Sequence, residues 1–313
     1  MALLIEKLQN VLRFGNCTSE HFRGNGLGKI GTTGFVLGMV GGLHLGIYIT
    51  IKFLQLTIGD SMNSSFIGTL QMWSLYMGML CIFHFMEFFT TAVNQPDSLS
   101  YESYIVNHSK SYTIAALLSW TEFWLEYLLL GPWKLQLWYV SALGFALVLM
   151  GQVVRSVAMW HCGEHFSHVI MHEHSQQHRL VTSGIYQYLR HPSYFGWFYW
   201  SVGTQLLLVN PLCALAYTAA AWSFFTGRIP YEEQLLVSFY GQQYVRYARG
   251  TPIGIPLVSC YVPVTWERTG AAVGVTGSSS NITSSSGSAT GSSSHHSSSK
   301  ETTGHTKHAK KAH

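Results

Sequence analysis

Two short segments hold most of the side chains able to do chemistry. Between Leu180 and Tyr199 the chain runs Leu-Val-Thr-Ser-Gly-Ile-Tyr-Gln-Tyr-Leu-Arg-His-Pro-Ser-Tyr-Phe-Gly-Trp-Phe-Tyr. A guanidinium (Arg190), an imidazole (His191), a proline turn and several phenols stand directly against the start of an aromatic, uncharged stretch. The second segment, Gly227-Arg-Ile-Pro-Tyr-Glu-Glu233, puts Arg228 and two carboxylates at the end of another apolar run. Polar groups at the lip of an apolar helix suit a substrate anchored by a lipid chain, whose reactive end lies where water meets hydrocarbon.

The elements that must position these groups are membrane helices. Of 313 residues, 48% are hydrophobic and 10% charged, against roughly 25% charged in a typical soluble domain. About 20 apolar residues suffice for one crossing. Candidate spans are Ile30–Ile51, Phe66–Thr90, Tyr112–Leu130, Leu135–Trp160, Tyr194–Val209 and Pro211–Thr226, the last two forming a hairpin joined by Asn210-Pro211. The expected fold is all-α: a polytopic bundle of about six transmembrane helices with a cytosolic-facing C-terminal catalytic segment. Lys7, Arg13, Arg23 and Lys29 precede the first span, while the loop from Thr57 to Ser65 has no Lys or Arg. The positive-inside rule then places the N-terminus, and with six crossings the C-terminus, in the cytosol. Met1–Phe14 reads as a short amphipathic surface helix, since Glu6 and Lys7 interrupt any signal-peptide core.

Ionisable groups inside spans are costly and face a bundle interior or a watery cavity. His84 and Glu87 share a helical face, as do Glu122 and Glu126. Pairing of Arg155 with one of the glutamates as an interhelical clamp is the plainest expectation.

Several other patterns point nowhere. Gly24-Asn-Gly-Leu-Gly28 lacks the preceding strand that a nucleotide cradle requires and reads as a flexible loop into the first span. His161/His165 and His168/His172 have i, i+4 spacing, but the loop has no adjacent His-His pair, so no metal site is expected. The five cysteines are odd in number and form no CxxC, which excludes a disulfide scaffold. The net charge of +4 gives no reason to expect nucleic acid as a partner. The Ser/Gly/Thr/His-rich tail cannot bury a core and reads as disordered; its sequon at Asn281 would go unused in the cytosol, whereas Asn63 would face the lumen.

Taken in order, His178-Arg-Leu-Val181, Gly184-Ile-Tyr186, Arg190-His-Pro-Ser-Tyr194, the run from Trp197 to Gln205, Asn210-Pro211 and the segment from Arg228 to Glu233 resemble the isoprenylcysteine carboxyl methyltransferases of the endoplasmic reticulum. Thr91-Ala-Val-Asn-Gln-Pro96 and Asn107-His-Ser109 extend the likeness, which covers roughly Phe66 to Pro256. It implies a multi-pass protein of the endoplasmic reticulum membrane that uses S-adenosylmethionine to methylate the C-terminal carboxylate of farnesylated or geranylgeranylated CaaX-type proteins. The spans, charges and tail composition divide the chain into a cytosolic N-terminal segment (1–29), transmembrane helices 1–4 (30–160), a catalytic region with cytosolic loop, helical hairpin and C-terminal helix (161–265) and the tail (266–313). Residue by residue, the resemblance implies methyl-donor contacts from His178, Leu180, Val181, Tyr186, His191, Pro192, Ser193, Tyr194 and Glu232, with Arg228 meeting the substrate as the catalytic residue.

The side chains suit that chemistry. A carboxylate is already ionised at neutral pH, so no general base is needed. Arg228 can offer a planar fork to it. Pro230 fits the first turn of a following helix, which would set Glu232 and Glu233 at that helix's positive end. Two rival readings stay open: a membrane sterol reductase using a nicotinamide cofactor, and a non-enzymatic lipid-binding scaffold.

Overall fold

The structure, a computed structural model, describes residues 27–59, 64–106, 109–167, 170 and 179–258. The expectations for Met1–Phe14, for Gly24 and Gly26, for the sequons at Asn63 and Asn281, for the paired His168 and His172, for His178 and for the tail lie outside these residues. Among the described residues there is no strand. Seven α-helices follow in order: α1 (Leu27–Ile58), α2 (Ser65–Asn94), α3 (Lys110–Leu130), α4 (Trp138–Cys162), α5 (Pro192–Leu207), α6 (Pro211–Tyr240) and α7 (Gln242–Gly250). Short 3-10 turns lie in the connections from α2 to α3, from α3 to α4 and from α4 to α5. Gly28, expected in a loop, lies in the first turn of α1.

Among the described residues, three helical stretches are long and apolar enough to cross a membrane by themselves: Gly28–Ile58, Ser65–Asn94 and Trp133–His165. Their outer faces carry large exposed apolar side chains such as Phe35, Phe53 and Leu149, the inverse of a soluble protein's surface. Inside α2 the pattern is reversed, with Ser74, His84, Glu87, Thr90 and Asn94 all buried. The threonine hydroxyls turn to their own helix, Thr90 donating to Met86 O at 2.8 Å and Thr91 to Glu87 O at 2.9 Å, and Thr90 also reaches Met159 Sδ of α4 at 3.4 Å.

The closest packing is between α4 and α5. Gly144 and Gly151 on α4 face Leu207, Gly196 and Trp200 on α5; Gly196 and Gly203 face Arg155, Val148 and Gly144 in return. A Cβ on any of the four would run into main-chain atoms of the partner helix. Small residues two turns apart on each helix let the backbones touch, which in a bilayer replaces the hydrophobic drive available in water.

The α5–α6 hairpin is fastened at its turn. Val209 takes a left-handed φ of 51° and the Asn210 amide returns to Gln205 O at 2.9 Å. Lys134, buried, donates to Asn210 Oδ1 at 2.6 Å and Leu208 O at 3.3 Å, and pairs with Glu126 at 2.8 Å. Glu122 accepts the Leu212 and Cys213 amides at 2.7 Å each. A carboxylate from α3 thus caps α6, whose own N-cap residue, Asn210, makes no such bond. Of the three glutamates, Glu122 and Glu126 lock the hairpin, and Glu87 is the one that meets Arg155.

Pro230 does not begin a new helix: α6 runs unbroken through it from Pro211 to Tyr240. An internal proline costs about 3 kcal/mol, and the continuation offsets this by burying Glu233 and Val237 against α7, where Tyr244, Val245 and Ala248 complete a small core. After α7 the chain becomes an extended strap. Pro252 O accepts the Arg190 amide at 2.9 Å and Pro256 O accepts from Trp222 Nε1 at 3.0 Å. Ile253, Ile255 and Val258 pack with Phe198, Ala221, Phe225 and Ile229 of α5 and α6.

Candidate active site

The first turn of α5 is the hinge of the site. Pro192 occupies its first helical position, where the missing N–H goes unneeded. His191, the N-cap, makes no capping bond with its side chain; its Nε2–H instead donates to Glu233 Oε1 at 3.0 Å. Arg190 reaches the same carboxylate, Nη1 donating to Oε2 at 3.2 Å. Two consecutive residues before α5 are thus pinned to α6 through one buried glutamate.

A second tether comes from behind. Arg155 on α4 donates Nη1–H to Ser193 Oγ at 2.9 Å and grips Glu87 of α2 with its other two nitrogens, Nη2 to Oε2 at 2.7 Å and Nε to Oε1. Both partners are almost wholly buried. Removing one side of such a pair leaves a bare buried charge, at a cost of about 3–5 kcal/mol. The clamp therefore holds three helices in register at the residue that starts the site.

These tethers shape a cavity of about 190 Å³. Leu180, Val181, Tyr186, His191, Pro192, Ser193, Tyr194 and Glu232 all line it, so eight of the nine donor-contact residues expected from the sequence converge on one space. The ninth, His178, lies outside the described residues. Arg228 is not in the cavity wall but one bond away: its Nε–H donates to Tyr194 Oη at 2.9 Å, and that hydroxyl donates to Glu232 Oε2 at 2.5 Å.

Glu232 and Glu233 sit differently from the expectation. With α6 continuous through Pro230, neither is at a helix N-terminus, and their charges are met by side chains instead of by the helix dipole. Glu233 turns to Arg190 and His191, Glu232 to Tyr194 and the cavity.

The sequence reading missed part of the wall. Cys162 at the end of α4, Leu235, Leu236 and Tyr240 on α6, and Tyr244 and Tyr247 on α7 also line the cavity. Tyr244 and Tyr247, three apart, share a face of α7, while Tyr240 ends α6 across Gly241, a break that the sequence spacing does not announce. Burial holds the Tyr186 and Tyr244 phenols well above their ordinary range and pushes Tyr247 up to about 12. All three are therefore neutral, and able to donate, near pH 7. Tyr247 donates to Tyr186 O at 2.6 Å, and Tyr186 to Ala158 O at 3.3 Å. Gly184 permits this folded-back loop: its φ is +62°, and a Cβ there would strike the His161 ring.

The sequence model of the isoprenylcysteine carboxyl methyltransferase (ICMT) family matches residues 142–238. A protein-S-isoprenylcysteine O-methyltransferase of Saccharomyces cerevisiae is 33% identical over 241 residues, 75% of this chain and 94% of the yeast protein. The chain belongs to the isoprenylcysteine carboxyl methyltransferase family. The Xenopus laevis member is 48% identical over 183 residues, 58% of this chain and 63% of its own length, and the human member 46% identical over 64% of its length; the chain thus spans a little under two thirds of each of these two relatives. A solved structure of a eukaryotic intramembrane Ras methyltransferase of the same family superposes with a TM-score of 0.60 at 37% identity, covering 71% of this chain and 86% of that one. The residues matched by the isoprenylcysteine carboxyl methyltransferase model contain every expected site residue from His178 to Glu232.

Proposed function

We propose that this protein is an S-adenosylmethionine-dependent methyltransferase that esterifies the C-terminal prenylcysteine carboxylate of farnesylated or geranylgeranylated CaaX-type proteins. The observation that carries the reading is the convergence of Leu180, Val181, Tyr186, His191, Pro192, Ser193, Tyr194 and Glu232 on one cavity, with Arg228 joined to it through Tyr194.

The wall suits the methyl donor. It combines apolar side chains for a flat base, neutral phenol rings, and one carboxylate for a cationic group. Arg190 also lines the cavity, and its buried Nε has no partner among the described residues. Leu180 and Val181 would hold the adenine, Tyr186 and His191 would bond or stack with it, Ser193 would meet the carboxylate end, and Glu232 would accept from the ammonium or ribose hydroxyls. His178 joins this set by resemblance. When bound, S-adenosylmethionine supplies an electrophilic methyl group, which the acceptor oxygen takes as the C–S bond breaks, leaving a methyl ester and a neutral thioether with no proton to move.

What the chain itself must do is position and desolvate. Arg228 would hold the acceptor carboxylate by a planar fork, and bringing the oxygen into line while excluding water accounts for the rate. Residues 161–265 form the catalytic region on a frame of helices within 30–160. Six crossings, both termini in the cytosol and residence in the endoplasmic reticulum membrane complete the proposal. The apolar outer faces of the helices and the distribution of Lys and Arg support the crossings and the orientation, and the family likeness supports the compartment.

The test is direct. Membranes containing only this protein should transfer methyl groups from S-adenosylmethionine to N-acetyl-farnesylcysteine but not to N-acetylcysteine. Each buried methylene contributes about 0.8 kcal/mol to membrane anchoring, so the prenyl chain concentrates the acceptor where Arg228 lies. The product should be a base-labile ester. A folded protein that methylates no prenylated cysteine would sink the reading.

A further inference from the structure

Arg228 and Glu232 stand one helical turn apart on α6 with opposite charges, and they are joined by a hydroxyl from another helix. Tyr194 Oη accepts the Arg228 Nε–H at 2.9 Å and donates its own hydrogen to Glu232 Oε2 at 2.5 Å. The second distance is that of a charge-assisted O–H···O⁻ bond. The ring that carries the hydroxyl is held on several sides. His191 lies parallel to it with centroids 5.5 Å apart, Phe225 packs at 5.1 Å, and the Arg228 guanidinium carbon is 5.4 Å from its centre.

We propose that Tyr194 is a positioning residue that aims the Arg228 guanidinium and couples its orientation to whatever engages Glu232. The proposal rests on the function given above, in which Arg228 meets the acceptor carboxylate and Glu232 the methyl donor. A hydroxyl can accept from a cation and donate to an anion through one atom, whereas an ammonium only donates and a carboxylate only accepts. A guanidinium is planar, so fixing Nε fixes the direction of both terminal nitrogens together. Without the Tyr194 bond the Nε loses the partner that sets its direction, and the fork would meet the carboxylate in more poses of which fewer are in line. A ligand that engages Glu232 changes how strongly that carboxylate holds the Tyr194 hydrogen, and through the same oxygen how firmly Arg228 is held. Such coupling is reciprocal.

Tyr194→Phe removes one oxygen and keeps the ring, so it deletes the joint and little else. In the full-length protein in detergent, kcat for N-acetyl-farnesylcysteine should fall about 10- to 100-fold, the cost of a misplaced catalytic group. Donor Kd by calorimetry should move less than about threefold, since the other wall residues remain. The melting temperature should be unchanged. In a double-mutant cycle, Arg228→Lys should cost several-fold less in the Tyr194→Phe background than alone, because the arginine has already lost its aim. Turnover of Tyr194→Phe within twofold of wild type would overturn the proposal, as would full additivity with Arg228→Lys. So would a loss confined to donor affinity, recovered at saturating donor, which would make Tyr194 a donor contact only. A wild-type protein with no turnover would fail the functional reading itself, a result distinct from an active wild type that ignores the substitution.

Discussion

Arg228 bears the acceptor chemistry in the proposed mechanism, and its surroundings explain why only arginine should serve. The Tyr194 bond uses Nε, a donor that lysine does not have. Arg228→Ala should abolish methyl transfer while leaving the purified protein folded, and Arg228→Lys should lose at least about 100-fold, as when a preorganised donor is removed from a developing charge. Radiolabelled methyl transfer alongside a melting curve checks both, and near-normal turnover in the alanine variant would remove Arg228 from the mechanism. Across the cavity, Tyr186→Ala, His191→Ala and Glu232→Ala should each weaken S-adenosylmethionine binding more than prenyl-substrate binding, measured by calorimetry on detergent-purified variants. Unchanged donor affinity in all three would move the donor elsewhere. The phenols add a pH dependence. Because burial raises the folded-state pKa of Tyr247 to about 12, its stabilising contribution is complete below pH 10 and is lost as pH climbs from 10 through about 12. Melting temperatures over that range should fall less steeply in Tyr247→Phe. At this scale the sequence was most legible, because an Arg-His-Pro-Ser-Tyr run states its own chemistry. It could not show that Glu233, one residue from an expected contact, anchors Arg190 and His191, since that depends on how α6 is rotated against α5.

At the level of elements, uncharged runs announced the helices, but neither α6 nor the α4–α5 contact could be read in full. Proline at position 230 is a helix breaker by local rules, and only the packing of Val237 against α7 shows why the helix continues. The four glycines of the α4–α5 crossing have no apolar signature at all, since their role is to be absent. Gly144/Gly151 and Gly196/Gly203 share a seven-residue spacing that becomes meaningful only once the two helices are known to touch. Gly151→Val should therefore be severe. Its side chain would meet Gly196 O and Trp200 N, main-chain atoms that cannot turn aside, and overpacking of this kind costs about 1–3 kcal/mol or more. As α4 moves, Arg155 is drawn away from Ser193, so the donor site should loosen as well. The expected result is a lower melting temperature together with weaker donor binding. Gly38→Val, where a Cβ meets nothing within 4 Å, is the matched control and should change neither.

For the molecule as a whole, the question is where the working chain ends. The strap after α7 leaves helical structure and runs beside the middle of α5 and α6, where the Tyr199 hydroxyl lies 3.5 Å from Gly254 O and Trp222 Nε1 donates to Pro256 O. Buried irregular backbone needs partners for its polar groups, and the bonds to Tyr199, Trp222 and Arg190 supply them. Its apolar residues Ile253, Ile255 and Val258 are buried, and the Arg190–Pro252 bond ties it to the residue beside His191. Nothing in the composition of Thr251-Pro-Ile-Gly-Ile-Pro-Leu-Val258 distinguished it from a linker, so its role was invisible in the sequence. Beyond Glu267 the only large apolar side chains are Val273, Val275 and Ile282, too few to build a core. Truncation after Glu267 should thus leave methyl transfer and melting temperature as in the full chain. Truncation after Gly250 removes the strap, exposes the α5–α6 seam and frees the Arg190 amide at the edge of the cavity. It should lower the melting temperature and reduce turnover at least about tenfold, since residues that orient the site lose their support. Ile255→Asn, which keeps the chain length but puts an amide into that seam, should reproduce the loss in part. Equal activity of the two truncations would show that α5 and α6 hold the site without the strap, whereas a loss already present after Glu267 would give the tail a role its composition does not suggest.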